Sequence, residues 1–156
     1  MSEITIVEVD DKLVLGMRRR GKYQEIANMF PVLFQYAVQS GAQISGHPIF
    51  VCHETTIEEV KKADEEGNAD IEVVVPVASA MEGTEEVKCY ELPGGTMAKI
   101  IHKGPYEACE PTYQRLHAWL AENNKKITGP VREIYLNDPR EVTPEETLTE
   151  IYAPID

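Results

Sequence analysis

The residue best placed to do chemistry is a glutamate on a strand beside a tyrosine. Glu133 lies in the run Val131-Arg132-Glu133-Ile134-Tyr135-Leu136. Strand alternation puts Glu133 and Tyr135 on one face and Arg132, Ile134 and Leu136 on the other. A carboxylate on a buried face costs free energy unless it is paired. Among aromatic rings in a dry site it would hold an apolar cation by charge and cation–π contact together. The structural alternatives are an ion pair with Arg132 or Arg115, or a solvated edge glutamate.

Other candidate groups carry less. Tyr23, Phe30, Phe34, Tyr36, Tyr90, Tyr106, Tyr113, Trp119 and Tyr152 fall mostly on helical stripes or strands and read chiefly as core. His47, His53, His102 and His117 show no metal-ligand spacing, so no metal and no cofactor are expected. Cys52, Cys89 and Cys109 form no close pair and read as reduced thiols, Cys52 and Cys89 as small core hydrophobes. No nucleophile elbow or phosphate-binding glycine loop is present. Arg18-Arg19-Arg20 is too short a basic run to mark a nucleic-acid patch in so acidic a chain.

The elements that must position Glu133 follow from periodicity. Residues 4–9 and 13–17 are β-like and, joined by Asp10-Asp11-Lys12, read as a hairpin. Tyr23, Ile26, Ala27, Phe30, Leu33, Phe34 and Ala37 recur at helical spacing, with Pro31 either kinking the helix or marking its first turn. Residues 48–52 and 71–77 read as strands. Pro76 suggests an edge or a bulge, and the acidic stretch 54–70 suggests a long loop with one helical turn. The order then restarts. Residues 86–92 and 96–102 read as a second hairpin around Pro93-Gly94-Gly95. A second helix opens at Gly104-Pro105-Tyr106, with Cys109, Tyr113, Leu116 and Leu120 as its stripe. Residues 131–136 and 148–153 are strands separated by an acidic loop over 138–146.

A shift of 83 residues makes the repeat explicit. It places Glu8 on Glu91, Gly21 on Gly104, Tyr23 on Tyr106, Leu33 on Leu116, Ile44 on Ile127 and Gly46 on Gly129. Phe50 lands on Glu133, Phe30 on Tyr113 and Tyr36 on Trp119. A shift of 78 places Glu72 on Glu150 and Pro76 on Pro154. The expected fold is α+β, a single domain over 1–156 with repeats at about 4–80 and 86–156. These would be duplicated ββαββ modules, related by a pseudo-twofold, in one eight-stranded antiparallel sheet with two main helices on one face. A groove would separate the halves.

The chain has 156 residues and a formal net charge of -12. That balance argues against direct nucleic-acid binding, and much of it falls in the two acidic loops. No apolar run is long enough for a membrane span, and Met1-Ser2-Glu3 opens no signal peptide, so a cytoplasmic location is expected. Oligomeric state is not legible.

Gly104-Pro105-Tyr106-Glu107, Arg132-Glu133-Ile134-Tyr135 and the ending 148–155 together resemble the GyrI-like small-molecule-binding superfamily along essentially the whole chain. The superfamily includes gyrase-inhibitory proteins and the effector-binding domains of AraC-type and MerR-type activators. The resemblance implies a ligand cleft between two modules with a central glutamate, which matches Glu133. It implies aromatic walls, for which Tyr135, Tyr106, Tyr152, Phe50 and Trp119 are the candidates. It implies a small-molecule ligand, effector- or drug-like and amphipathic or cationic. Two other activities follow from relatives: hydrolysis of cyclopropane-bearing electrophiles, with Glu133 activating water, and inhibition of a protein partner such as DNA gyrase through the acidic loops. Read as full length, the chain lacks a DNA-binding region and is not itself a transcription factor; read as a fragment, it would be part of a regulator.

Overall fold

Among the described residues, eight strands and three α-helices arise from the two alternating periodicities. A computed structural model describes residues 3–137 and 141–155, with the side chain of Glu107 excepted. The strands are β1 (Thr5–Val9), β2 (Lys12–Gly21), β3 (Ile49–Cys52), β4 (Ala69–Pro76), β5 (Lys88–Leu92), β6 (Gly95–Lys103), β7 (Val131–Tyr135) and β8 (Leu148–Pro154). The helices are α1 (Ile26–Gln39), α2 (Ile57–Glu66) and α3 (Glu110–Glu122). All eight strands form one antiparallel sheet in the order β1-β6-β8-β7-β3-β4-β2-β5.

The register carries the duplication. Thr5↔Lys99 in the β1–β6 pair maps onto Lys88↔Gly16 in the β5–β2 pair under the 83-residue shift. Val14↔Pro76 maps onto Met97↔Pro154 when the later strand takes the 78-residue shift. Phe50 and Glu133, each other's counterparts, lie directly opposite across β3 and β7. The pseudo-twofold axis therefore passes between them.

Two expected hairpins do not form. β1 pairs with β6, and β5 pairs with β2, so each module lends its first strand to the other. The connections at Asp10-Asp11 and Pro93-Gly94 are crossovers. Val9 and Lys12 are three residues apart and reach at most about 11 Å. In a flat sheet β1 and β2, six strand spacings apart, would be separated by about 29 Å. The sheet must therefore curl until its two ends approach. The crossovers meet at the counterpart residues Asp11 and Gly94, where the Gly94 N–H donates to Asp11 Oδ1 at 2.6 Å. A Cβ on Gly94 would lie 1.9 Å from the Val9 carbonyl oxygen.

Two further expectations are corrected. The stretch 54–70 contains α2, a full helix and the third of the fold. Thr56 caps it by accepting the Glu59 N–H at 3.1 Å, and Gly67 closes it in the left-handed region at φ 71°. Pro76 is at neither an edge nor a bulge, since it ends the interior strand β4 opposite Val14, and its carbonyl accepts the Ser45 N–H at 2.9 Å. Pro31 falls inside α1 past its first turn. Of the acidic loop 138–146, residues 138–140 lie outside the described residues, and Pro144–Glu146 form a 3-10 turn.

The helices share one sheet face. Met29, Leu33 and Ala37 of α1 pack with Leu15, Phe50, Ile71, Val73 and Val75, and Ala63 of α2 joins the same cluster. Leu116 and Leu120 of α3 pack with Ala98, Ile100, Val131, Ile151 and Ala153. α1 rests on β2 and β4, and α3 rests on β6. The central strands β3 and β7 are thus left open between the helices. No helix among the described residues is long and apolar enough to cross a membrane.

A methyl group at the crossover junction has no space to occupy. Gly94→Ala should lower the chemical-denaturation stability by about 1–3 kcal/mol, read as a shift in midpoint without loss of cooperativity.

Candidate functional site

The gap over β3 and β7 is a cleft of about 1460 Å³. Phe50, Cys52, Val131, Glu133 and Tyr135 form its floor. Its walls come from α1 (Ile26, Ala27, Phe30, Pro31, Phe34), α2 (Ile57, Val60, Lys61, Asp64) and α3 with its leading turn (Tyr106, Cys109, Glu110, Tyr113, Leu116, His117). The helical repeat read as a single core stripe thus divides in two. Met29, Leu33 and Ala37 face the core, while Ile26, Phe30 and Phe34 are half-buried and face the cleft.

Glu133 is half-buried at this floor. Tyr135 donates its hydroxyl to Glu133 Oε1 at 2.9 Å, and Tyr113 donates to Oε2. Among the described residues no salt bridge reaches Glu133. Arg132 points to the opposite sheet face and donates Nη2 to the Pro93 carbonyl. Burial pushes the Glu133 carboxyl above its ordinary range, against the opposing pull of the Tyr113 and Tyr135 hydroxyls. Burial and the neighbouring carboxylate drive both phenols well above their ordinary value, so they remain donors. The carboxylate is therefore oriented by neutral hydroxyls, and among the described residues its charge has no salt-bridge partner.

Aromatic edges surround it. Tyr135 meets Phe30 at 5.9 Å and Tyr106 at 5.1 Å between ring centroids, both near edge-to-face. Phe50 meets Tyr23 edge-to-face at 6.0 Å. His102 pins the turn that presents Tyr106: Nε2–H donates to the Pro105 carbonyl at 2.9 Å, and Nδ1 meets Thr112 Oγ1 at 2.8 Å.

Further out, Glu54 accepts the Tyr23 hydroxyl on Oε1 and the Asp70 N–H on Oε2 at 3.0 Å. The lining carboxylates are Glu54, Asp64, Glu110 and Glu133, and the lysine or arginine lining is Lys61, which pairs with Glu110 at 2.7 Å. The Cys52 thiol is pushed up to about 12 by burial and by Glu133 and Glu54, so it is not a nucleophile at neutral pH. Among the described residues no three metal-ligating side chains converge.

Of the residues singled out in the sequence, Glu133, Tyr135, Tyr106 and Phe50 line the cleft. Tyr152 and Trp119 are not brought to it. Tyr152 pairs with Arg132 across β8 and β7, so it shares the opposite face, where Lys99 sits over its ring. Trp119 packs on the flank of α3 against the second core cluster. Tyr113, read as core, was missed as a ligand of the carboxylate. The repeat held the signal: Phe30→Tyr113, Phe50→Glu133 and Cys52→Tyr135 are all apolar-to-polar changes at counterpart positions.

A model of the GyrI-like small-molecule-binding domain matches residues 2–156. The chain belongs to the GyrI-like family. No curated protein matches it in sequence. In fold, this GyrI-like domain is similar to the C-terminal domain of EcmrR, with 20% identity, 100% of this chain and 98% of that chain covered, and a TM-score of 0.88. Against EcmrR in its DNA complex the TM-score is 0.87 at 20% identity, over 99% of this chain but only 57% of that one. A hydrolase encoded by lin2189 from Listeria innocua matches at 15% identity, covering 99% of this chain and 92% of that chain, with a TM-score of 0.68. SAV2435 bound to tetraphenylphosphonium matches at 12% identity, 99% and 94% coverage, and a TM-score of 0.63.

The raised carboxyl of Glu133 fixes a sign for pH dependence. Its folded pKa exceeds the unfolded value, so the folded protein binds the proton more tightly than the unfolded chain. The group costs nothing well below the ordinary value of 4.5, where both states are protonated. Its cost grows as pH rises from there to the folded pKa, at about 1.4 kcal/mol per unit of displacement. Glu133→Gln should therefore melt higher than wild type at pH 7, and the gap should close as pH falls toward 4. Thermal melts across that range read the effect.

Proposed function

We propose that this domain binds apolar or amphipathic monocations of drug-like size in the cleft, with Glu133 as their counter-charge. The observation that carries this reading is a half-buried carboxylate held, among the described residues, by two phenolic hydroxyls on an aromatic floor. Such a group has unspent attraction for a cation in a low-dielectric setting. Phe50, Tyr106 and Tyr135 supply rings for cation–π contact and for hydrophobic cover. An apolar cation also suffers little desolvation on entering. The tetraphenylphosphonium bound by SAV2435 is a ligand of this class and supports the assignment.

A second reading rests on the same carboxyl. Glu133, raised in pKa and touching two tyrosines, is arranged as a general base with acids beside it. With a strained cyclopropane, Glu133 would take a proton from water as the oxygen bonds to a ring carbon. The ring bond would open, Tyr135 would protonate the released carbon, and Glu133 would return the proton to Tyr135. The hydrolase from Listeria innocua shares the fold.

Tetraphenylphosphonium titrated calorimetrically into wild type and Glu133→Gln separates charge from shape. Affinity for the cation should fall at least about tenfold, or ~1.4 kcal/mol, in the variant. Affinity for neutral triphenylphosphine oxide should change little. Equal cation affinity in both proteins would sink the counter-charge role. Turnover of cyclopropane-bearing electrophiles, abolished by Glu133→Gln, would establish the second reading; no turnover across such a panel would remove it.

A further inference from the structure

The reverse face of the sheet holds a second charged group without an ionic partner. Arg132 is 6% exposed, and its Nε has no hydrogen-bond partner among the described residues. Nη2 donates to the Pro93 carbonyl at the crossover junction. No carboxylate among the described residues lies within ion-pair distance, and Glu72 and Asp11 act on Arg132 only from further away. Arg132 borders a cavity of about 60 Å³ walled by Val9, Ile49, Met97, Ile134 and Tyr152. Lys12 of β2, half-buried and in no ion pair among the described residues, also lines this cavity.

Across the pseudo-twofold, most residues around this cavity have apolar counterparts. The counterparts of Val9, Met97, Arg132, Ile134 and Tyr152 are Leu92, Val14, Ile49, Val51 and Val74. Those five residues pack together as a closed apolar cluster. Ile49 lines the cavity together with its own counterpart Arg132, so an apolar and a charged member of one pair stand side by side there. A buried guanidinium costs several kcal/mol unless it is compensated.

We propose that this cavity is a binding site for a small monoanion, a halide or a formate-sized carboxylate, held between Arg132 Nε and the Lys12 ammonium. A cavity of about 60 Å³ has room for such an ion. The anion would satisfy the orphaned Nε–H and neutralise the buried guanidinium. It would lie behind Glu133 on the other face of β7 and touch none of the cleft.

Bromide is the probe. Crystals of the full chain soaked in sodium bromide should show an anomalous peak between Arg132 and Lys12. In solution, bromide replacing gluconate at fixed ionic strength should raise the melting temperature saturably. Arg132→Met, close in volume, should abolish that rise. Lys12→Met, at a partly exposed position that leaves the core intact, should weaken it by roughly tenfold. Formate that displaces bromide would mark the site as open to carboxylates, and failure to displace would mark it as a halide site; either supports a monoanion. A cavity holding only water would overturn the proposal. So would a non-saturating rise of equal size in all three proteins, which is the signature of screening.

Discussion

Everything in this fold depends on two crossovers too short for a flat sheet. Asp10-Asp11 and Pro93-Gly94 each join strands that sit nearly at opposite ends of an eight-stranded sheet. Backbone reach then leaves one solution, a sheet curled about its reverse face with the crossovers touching where Gly94 meets Asp11. Curling closes a second interior behind the sheet, where Val14, Ile49, Val51, Val74 and Leu92 are buried without any helix over them. It leaves the helices on the outer face, each over its own module's strands. The central strands β3 and β7 therefore remain open, and the cleft is a product of the same geometry.

The chemistry of the cleft comes from unequal halves. Counterpart positions around the axis carry Phe30, Phe50 and Cys52 in the first module and Tyr113, Glu133 and Tyr135 in the second. The first set supplies apolar surface. The second supplies a carboxylate and the two hydroxyls that orient it. Each polar residue makes sense only with the others. Glu133 alone on that floor would be an unsatisfied buried acid, and the two phenols alone would lack an acceptor there. The three changes form one hydrogen-bonded unit set against an apolar mirror image.

Much of this was legible in the residues. Gly21 with Gly104 and Tyr23 with Tyr106 punctuate both halves at the same points, so the repeat and its ββαββ order could be read without a structure. Parity within β7 put Glu133 and Tyr135 on one face. What could not be read was which strands meet. A two-residue connection between apolar runs is a local hairpin signal, and only the summed curl of the sheet overrides it. The face of Tyr152 was hidden for the same reason: alternation in β8 divides its residues into two sets, but register with β7 decides which set looks into the cleft. Trp119 follows the helical flank of its counterpart Tyr36. α2 was in view at its ends, since Thr56, Glu59 and Gly67 are capping residues at the right spacing, but its acidic middle resembled a solvated loop.

Exchange of first strands makes each module's sheet incomplete without the other, so the chain has the architecture of a symmetric dimer whose subunits are tethered. In an untethered dimer of identical halves, every residue beside the axis faces its own copy. A glutamate at the central position would then stand directly opposite a second glutamate, two like charges across adjacent strands. The tether lifts that rule. It allows Glu133 to face Phe50, so that a single negative charge, rather than a repelling pair, occupies the centre of an otherwise twofold cleft.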